Sequence, residues 1–360
     1  MSHFCLLADP DGYSVSDIDL ISDTEARLYW LKQFENHFAD TLSAAKVAYG
    51  RSAAGQIESS RRQFAETISS LRENPGPADS LRPDRLGVLE LCRLREKALR
   101  DNGLKDPFRH IKQREDILSI ESYPGVIDFV KSLPSKQRWE HLIRSVFAGN
   151  IFDLGSTATM NYAKDRVDFE AVVERTKHRP WVVDDFDELA AILPTSATSA
   201  CPWAKAIVFV DNTGADFILG VIPLVRQFAI HGTQIVLAAN ELPSLNDVTA
   251  DEAVEILRQL ASVDDELASY ISAGLFEVVS TGNDIPLIDL AEVSDELNAA
   301  AKDADLVVLE GMGRSVESNL NTEFSVDSIQ LCLLKDPTMA ARVGGEVFDC
   351  VCRYRRGVAS

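Results

Sequence analysis

The sequence is short of positive charge, paired cysteines, long apolar runs and well-placed histidines, and each shortage removes a class of function. Thirty-six Lys and Arg stand against 56 Asp and Glu, a formal charge of −20. Nucleic acids and anionic membranes are bound through clustered Lys and Arg, so neither is expected as a partner. The six cysteines, Cys5, Cys92, Cys201, Cys332, Cys350 and Cys352, show no CxxC spacing. That argues against a zinc knuckle or a disulfide framework, and the expected compartment is the reducing cytoplasm. No apolar run reaches the roughly 18 residues that span a bilayer. The first twenty residues are acidic, unlike the basic-then-apolar start of a secretion signal.

Several catalytic signatures are missing as well. There is no GxSxG nucleophile elbow and no Walker Gly-Lys-Ser/Thr. The dinucleotide fingerprint GxGxxG fails because Val316 stands where its third glycine belongs. The Asp-x-Asp-x-Thr nucleophile motif of haloacid-dehalogenase phosphatases fails because Thr213 occupies the second Asp position.

What is present divides by periodicity. A chain of 360 residues, 46% hydrophobic and 26% charged, is an ordinary globular composition and long enough for two domains. From about Ser22 to Ala191 the apolar spacing is helical. Ser22 with Glu25 predicts a capping box, followed by Leu28, Leu31, Phe34, Phe38 and Leu42 on one face. Ile57, Phe64, Ile68 and Leu71 predict a second helix, which Asn74-Pro75-Gly76-Pro77 ends. Residues 1–193 are therefore expected to form a helical domain with its own core. Beyond the polar stretch Pro194 to Ala200, short apolar runs recur at 206–210, 234–239, 276–280, 305–310, 330–334 and 347–352. Helical stretches separate the first four. Residues 194–360 are expected to form an α/β/α sandwich with a mostly parallel, Rossmann-like sheet.

Ligands of open α/β sheets bind where strands end, so the residues after each run are the candidates. They are Asp211-Asn212-Thr213, Asn240 with the loop to Asp247, Asn283-Asp284, Glu310 to Arg314, and Lys335-Asp336. Two Asp carboxylates and an Asn carbonyl suit a hard divalent cation, and no His stands ready for a softer one. Arg314 and Lys335 are the candidates for stabilising charge on a transferring phosphoryl group. Gly311 and Gly313 could bring backbone N–H groups against phosphate, or could form a plain turn.

Three strings carry a resemblance: VFVDNTGADFILGVIPLVRQ, LAANELPSLNDVT and VVLEGMGRSVESN. With LCRLRE (91–96), AGNIFDLGS (148–156) and RPWVVDD (179–185), they resemble the damage-control phosphatases. The match is to the EGMGR subgroup, which includes stand-alone proteins and the C-terminal domain of a pantothenate kinase homologue. The resemblance implies a helical domain packed on the sandwich, and a metal (Mn²⁺, Mg²⁺, Co²⁺ or Ni²⁺) on Asp211, Asn212 and Asp247. It implies a phosphate contact at Lys335, with Asn150 and Asp153 where the helical domain closes over the cleft. The implied substrate is 4′-phosphopantetheine or its damaged forms. A sugar phosphate, or a regulatory module that only binds a phosphometabolite, remains open.

Overall fold

The computed structural model describes residues 1–75, 85–151, 169–196 and 198–358. Helices α1 (Thr24–Tyr49), α2 (Ala54–Glu73) and α3 (Val88–Arg100) are followed by α4 (Arg109–Ser132), α5 (Ser135–Ile151) and α6 (Phe169–Arg175). Strand β1 (Val183–Asp184) and α7 (Phe186–Ile192) precede β2 (Lys205–Phe209). A π-helical turn (Asp216–Val221) runs into α8 (Ile222–Ile230), then β3 (Gln234–Ala239), α9 (Ala250–Leu260), α10 (Asp265–Ser272) and β4 (Phe276–Ser280). The chain closes with α11 (Asp295–Ala301), β5 (Leu306–Glu310), β6 (Asp327–Leu333), α12 (Pro337–Arg342) and β7 (Cys350–Arg355).

The seven strands order as β1-β7-β6-β5-β2-β3-β4. Every neighbouring pair is parallel except β6 with β7, where Leu331 faces Cys352. Alternation along β2 explains why the sheet is covered on both sides. Ala206 and Val208 face a core built with α4 to α9, whereas Ile207 and Phe209 face a second core with α11 and the N-terminal segment. Among the described residues no helix is long and apolar enough to cross a membrane.

Three local expectations change in the structure. Asp23, not Ser22, caps α1, its carboxylate accepting from Ala26 N–H at 2.9 Å. Ser22 instead turns its hydroxyl to Asp19. The helical stretch expected between the second and third strand runs is two helices, because Asp264 accepts from the N–H groups of Glu266 and Leu267 and starts a new one. The last strand begins at Cys350 rather than Val347, since Phe348 takes a left-handed conformation at φ 71°.

The helices before residue 194 share their cores with the sheet. Trp30, Phe38, Phe64 and Leu91 pack in one cluster with Leu287, Val316, Cys332 and Val351. The N-terminal segment also crosses between the two. Phe4 packs edge-on against Phe209 with ring centres 5.5 Å apart. Asp17 accepts from the N–H groups of Val88 and Leu89, capping α3 from a distance in sequence because Gly87 has no side chain to do it.

Candidate active site at the switch point between β2 and β5

Strand β2 leads to β3 and β4 on one side, while β5 opens the other side of the sheet. A crevice forms where the winding reverses, and two carboxylates meet in it. Glu310 ends β5, and its Oε2 accepts from the Asp211 N–H at 2.9 Å. The loop after β3 then lies along the chain after β2. Val248 N–H donates to the Asp211 carbonyl at 2.9 Å, Thr213 N–H to the Asn246 carbonyl at 3.0 Å, and Asn212 bridges Asp247. These backbone contacts bring Asp247 beside Asn212.

Asp211, Asp216 and Glu310 are buried and offer oxygens within 4.8 Å of one another. Packing three carboxylates so closely is costly unless protons, donors or a cation offset the charge. Asn150, fully buried on α5, supplies part of this, its amide donating to Asp216 at 2.7 Å and to Glu310 at 2.6 Å. Asn212 donates to Asp216 at 2.9 Å and to Asp211 at 3.1 Å. Burial, and then the Asp211 charge, push the Asp216 carboxyl up to about 7. Burial, and then Asp216 and Asp211, hold the Glu310 proton well above the usual carboxylate range.

Among the described residues, Arg314 is the basic side chain that pairs with these strand-end carboxylates. Its Nη1 pairs with Asp211, while Nη2 donates to Asp247 at 2.8 Å and Asn240 at 3.3 Å. Burial works against its charge, but Asp211 and Asp247 outweigh that and raise its pKa further. The guanidinium thus braces two strand ends. Two π-helical turns border the site, one at 216–221 and one at 313–317 that carries Arg314 itself, the second closed by Ser318 N–H donating to the Gly313 carbonyl at 3.1 Å. Such turns occur often at functional sites, where the extra residue redirects a side chain.

Above this buried layer lies an open cleft of about 350 Å³. Asp211, Asn212, Asp247, Gly313 and Lys335 line it. Helices α1 and α3 form the facing wall with Tyr29, Trp30, Phe34, Val88 and Arg95. Glu317 also lines it, its carboxyl pushed up to about 8 by burial and then by the Asp336, Asp17 and Asp211 charges.

The structure therefore brings together Asp211, Asn212, Asp247 and Lys335, and sets Arg314 and Asn150 one layer beneath the cleft. Asn150 does not close over the opening, because its amide is committed to Asp216 and Glu310. Asp153 lies outside the described residues. Gly311 has φ 91°, and a Cβ there would stand 2.2 Å from the Asp211 carboxylate. A Cβ on Gly313 would meet the Pro286 carbonyl at 2.7 Å. Contacts within the protein thus account for both glycines.

Glu310 stands among the strand-end candidates of the sequence without a role, and Asp216 is not among them. The available signal was position. Glu310 is the last residue of a strand, and Asp216 follows Asn212 by one helical turn. The α1 wall carried no signal beyond an ordinary apolar stripe.

The damage-control phosphatase ARMT1-like domain model matches residues 31–351. The chain is 37% identical over 338 residues to a damage-control phosphatase of Arabidopsis thaliana, covering 92% of this chain and 88% of that one. It is 39% identical to pantothenate kinase 2 of Arabidopsis thaliana, covering 98% of this chain and 41% of that protein. It is 28% identical to the 4′-phosphopantetheine phosphatase of Mus musculus, covering 97% of this chain and 48% of that protein. The chain thus spans less than half the length of the last two. A solved DUF89 family structure from Pyrococcus horikoshii superposes with a TM-score of 0.63 at 18% identity, covering 92% of this chain and 98% of that one.

Proposed function

The chain belongs to the damage-control phosphatase ARMT1-like family, and from that premise we propose that its cleft uses a divalent cation to hydrolyse a small phosphomonoester, 4′-phosphopantetheine or an oxidised or damaged form of it. The observation that carries this reading is the sharing of one cleft by Asp211, Asn212, Asp247 and Lys335 opposite an apolar wall.

The donor set fits a hard cation. Asp211 and Asp247 stand close enough to share the Arg314 guanidinium. Asn212 commits its amide nitrogen to Asp211 and Asp216, which leaves its carbonyl oxygen as the donor for a cation. Asp211, Asn212 and Asp247 would hold the ion, with Asp216 and Glu310 bracing that layer from below through the amides of Asn150 and Asn212. A cation there supplies Lewis acidity at a phosphoryl oxygen. Lys335 would neutralise charge developing on the transferring group, and Arg314 would keep Asp211 and Asp247 in register.

Tyr29, Trp30, Phe34 and Val88 offer a surface beyond the phosphate that suits an extended, largely uncharged arm better than a compact sugar. Contacts remote from phosphorus can be used to position the reacting group. The mouse relative named for 4′-phosphopantetheine supports the same substrate class.

The test is phosphate release from a panel of phosphomonoesters with Mg²⁺, Mn²⁺, Co²⁺ and Ni²⁺. The expected result is a higher kcat/KM for 4′-phosphopantetheine than for hexose phosphates. Asp211→Ala and Asp247→Ala should each lose at least ~10²-fold, about 2.7 kcal/mol of transition-state stabilisation. Full turnover by either variant, or after exhaustive chelation, rejects the metal site. Faster turnover of fructose phosphates moves the substrate to that class.

A further inference from the structure

Arg95 belongs to the LCRLRE string, which the phosphatase reading leaves without a role, and it sits in the wall of the cleft. It is 2% exposed on α3. Its Nε donates to Glu96 Oε1 at 2.9 Å, and its Nη2 lies 2.8 Å from that same oxygen and 3.3 Å from the Ser244 hydroxyl. The Phe34 ring lies under the guanidinium, 5.7 Å from its centre. Nη1 donates to no described residue. Nη1 keeps solvent access where Arg95 lines the cleft, so this donor is open to an anion that enters there.

The surroundings say what would satisfy it. Among the described residues lining the cleft, Arg95 and Lys335 are the only Lys or Arg side chains, against Asp211, Asp247, Glu317 and Asp336. A phosphate dianion entering so acidic a cleft needs every cation available. Arg95 is also held in register with the metal-side loop, since Asp247 N–H donates to the Ser244 carbonyl at 3.0 Å and Ser244 donates to Glu96 at 2.9 Å. Fixed by Glu96, Ser244 and Phe34, the guanidinium loses little freedom on meeting an anion.

We propose that Arg95 is a second cationic contact for the substrate, its Nη1 donating to a non-bridging oxygen of the phosphomonoester. The proposal rests on the phosphatase reading, and inorganic phosphate serves as the probe because it presents the same oxygens. Calorimetric titration with phosphate, in the presence of the divalent ion, would compare wild type with Arg95→Gln/Glu96→Gln and with Glu96→Gln alone. The double variant keeps a neutral hydrogen-bonded pair, so the loop brace survives while the charge is gone. Phosphate affinity should fall by ~10-fold or more, the scale of one charge-assisted hydrogen bond. Glu96→Gln frees Arg95 from its carboxylate and should tighten phosphate binding.

Unchanged phosphate affinity in the folded double variant overturns the proposal, as does equal weakening by Glu96→Gln. Where the double variant does not fold, Glu96→Gln decides alone. A tighter complex supports the contact, and an equal or weaker one refutes it. Failure of the phosphatase reading looks different. Wild type would then release no phosphate from any ester, while phosphate binding would still depend on Arg95.

Discussion

At the scale of single residues, the site is held by side chains that are not part of the cleft. Asp116, on α4, accepts from the Thr213 hydroxyl and from the Gly214 N–H, both through Oδ1. Burial pushes its carboxyl up to about 6, against an ordinary value of 3.8. The folded protein therefore holds that proton more tightly than the unfolded chain does. Its contribution to stability is fully present below pH ~4 and is lost as pH rises through about 6. Asp116→Asn keeps an acceptor at Oδ1 and removes the titration. Its melting temperature should exceed that of wild type by about 1–2 °C at pH 7.5, corresponding to ~1 kcal/mol. The difference should shrink toward pH 5. A gap that does not vary between pH 5 and 7.5 would show that Asp116 does not titrate in this way.

At the scale of elements, two glycines let α5 lie directly on the π-helical turn that carries Asp216. A Cβ on Gly149 would stand 2.7 Å from the Asp216 Cα, and one on Gly220 would stand 3.1 Å from the Ser145 carbonyl. The close crossing is what puts Asn150 within reach of Asp216 and Glu310. Gly149→Ala should cost about 1–3 kcal/mol through overpacking against backbone that cannot yield. It should also lower kcat, because Asn150 and Asp216 move apart. Gly125→Ala on α4 is the control, since nothing lies within 4 Å of the added carbon. That change should be stabilising by about 0.5–1 kcal/mol, the ordinary helical preference for Ala. Thermal unfolding of the two variants with opposite signs is the expected outcome. Equal effects would remove the close crossing as the cause.

At the scale of the whole molecule, the helices and the sheet share hydrophobic clusters, so they should unfold together. Trp30 reports on α1, and Trp139, Trp181 and Trp203 report on the core around the sheet. Urea unfolding followed by tryptophan fluorescence, with and without Trp30→Phe, should give one midpoint that coincides with far-UV circular dichroism. An earlier transition that disappears in Trp30→Phe would mean that the α1–α3 layer is an independent unit. The same sharing explains how the cleft is built, since the sheet edge supplies its carboxylates and Lys335 while α1 and α3 supply Trp30, Phe34 and Arg95.

The order of the strands after residue 200, the mostly parallel sheet and the strand-end positions of Asp211, Asn212, Asp247 and Lys335 were legible in the sequence. Each rests on local signals: apolar runs of strand length, helical periodicity, and polar residues where a buried strand must end. The boundaries that shifted, at Asp23, Asp264 and Cys350, did so because a single cap or turn residue outweighed the apolar pattern around it. What tertiary structure decided was which distant residues meet. Nothing local in Asp216 or Glu310 announces that they share the amide of Asn150. Nor does α1 show in its sequence that its apolar stripe faces a cleft as well as a core. Burial of these groups depends on the crossing of α5 over the π-helical turn and on the packing of α1 against the sheet. Those are contacts between segments far apart in the chain, and periodicity within a segment does not encode them.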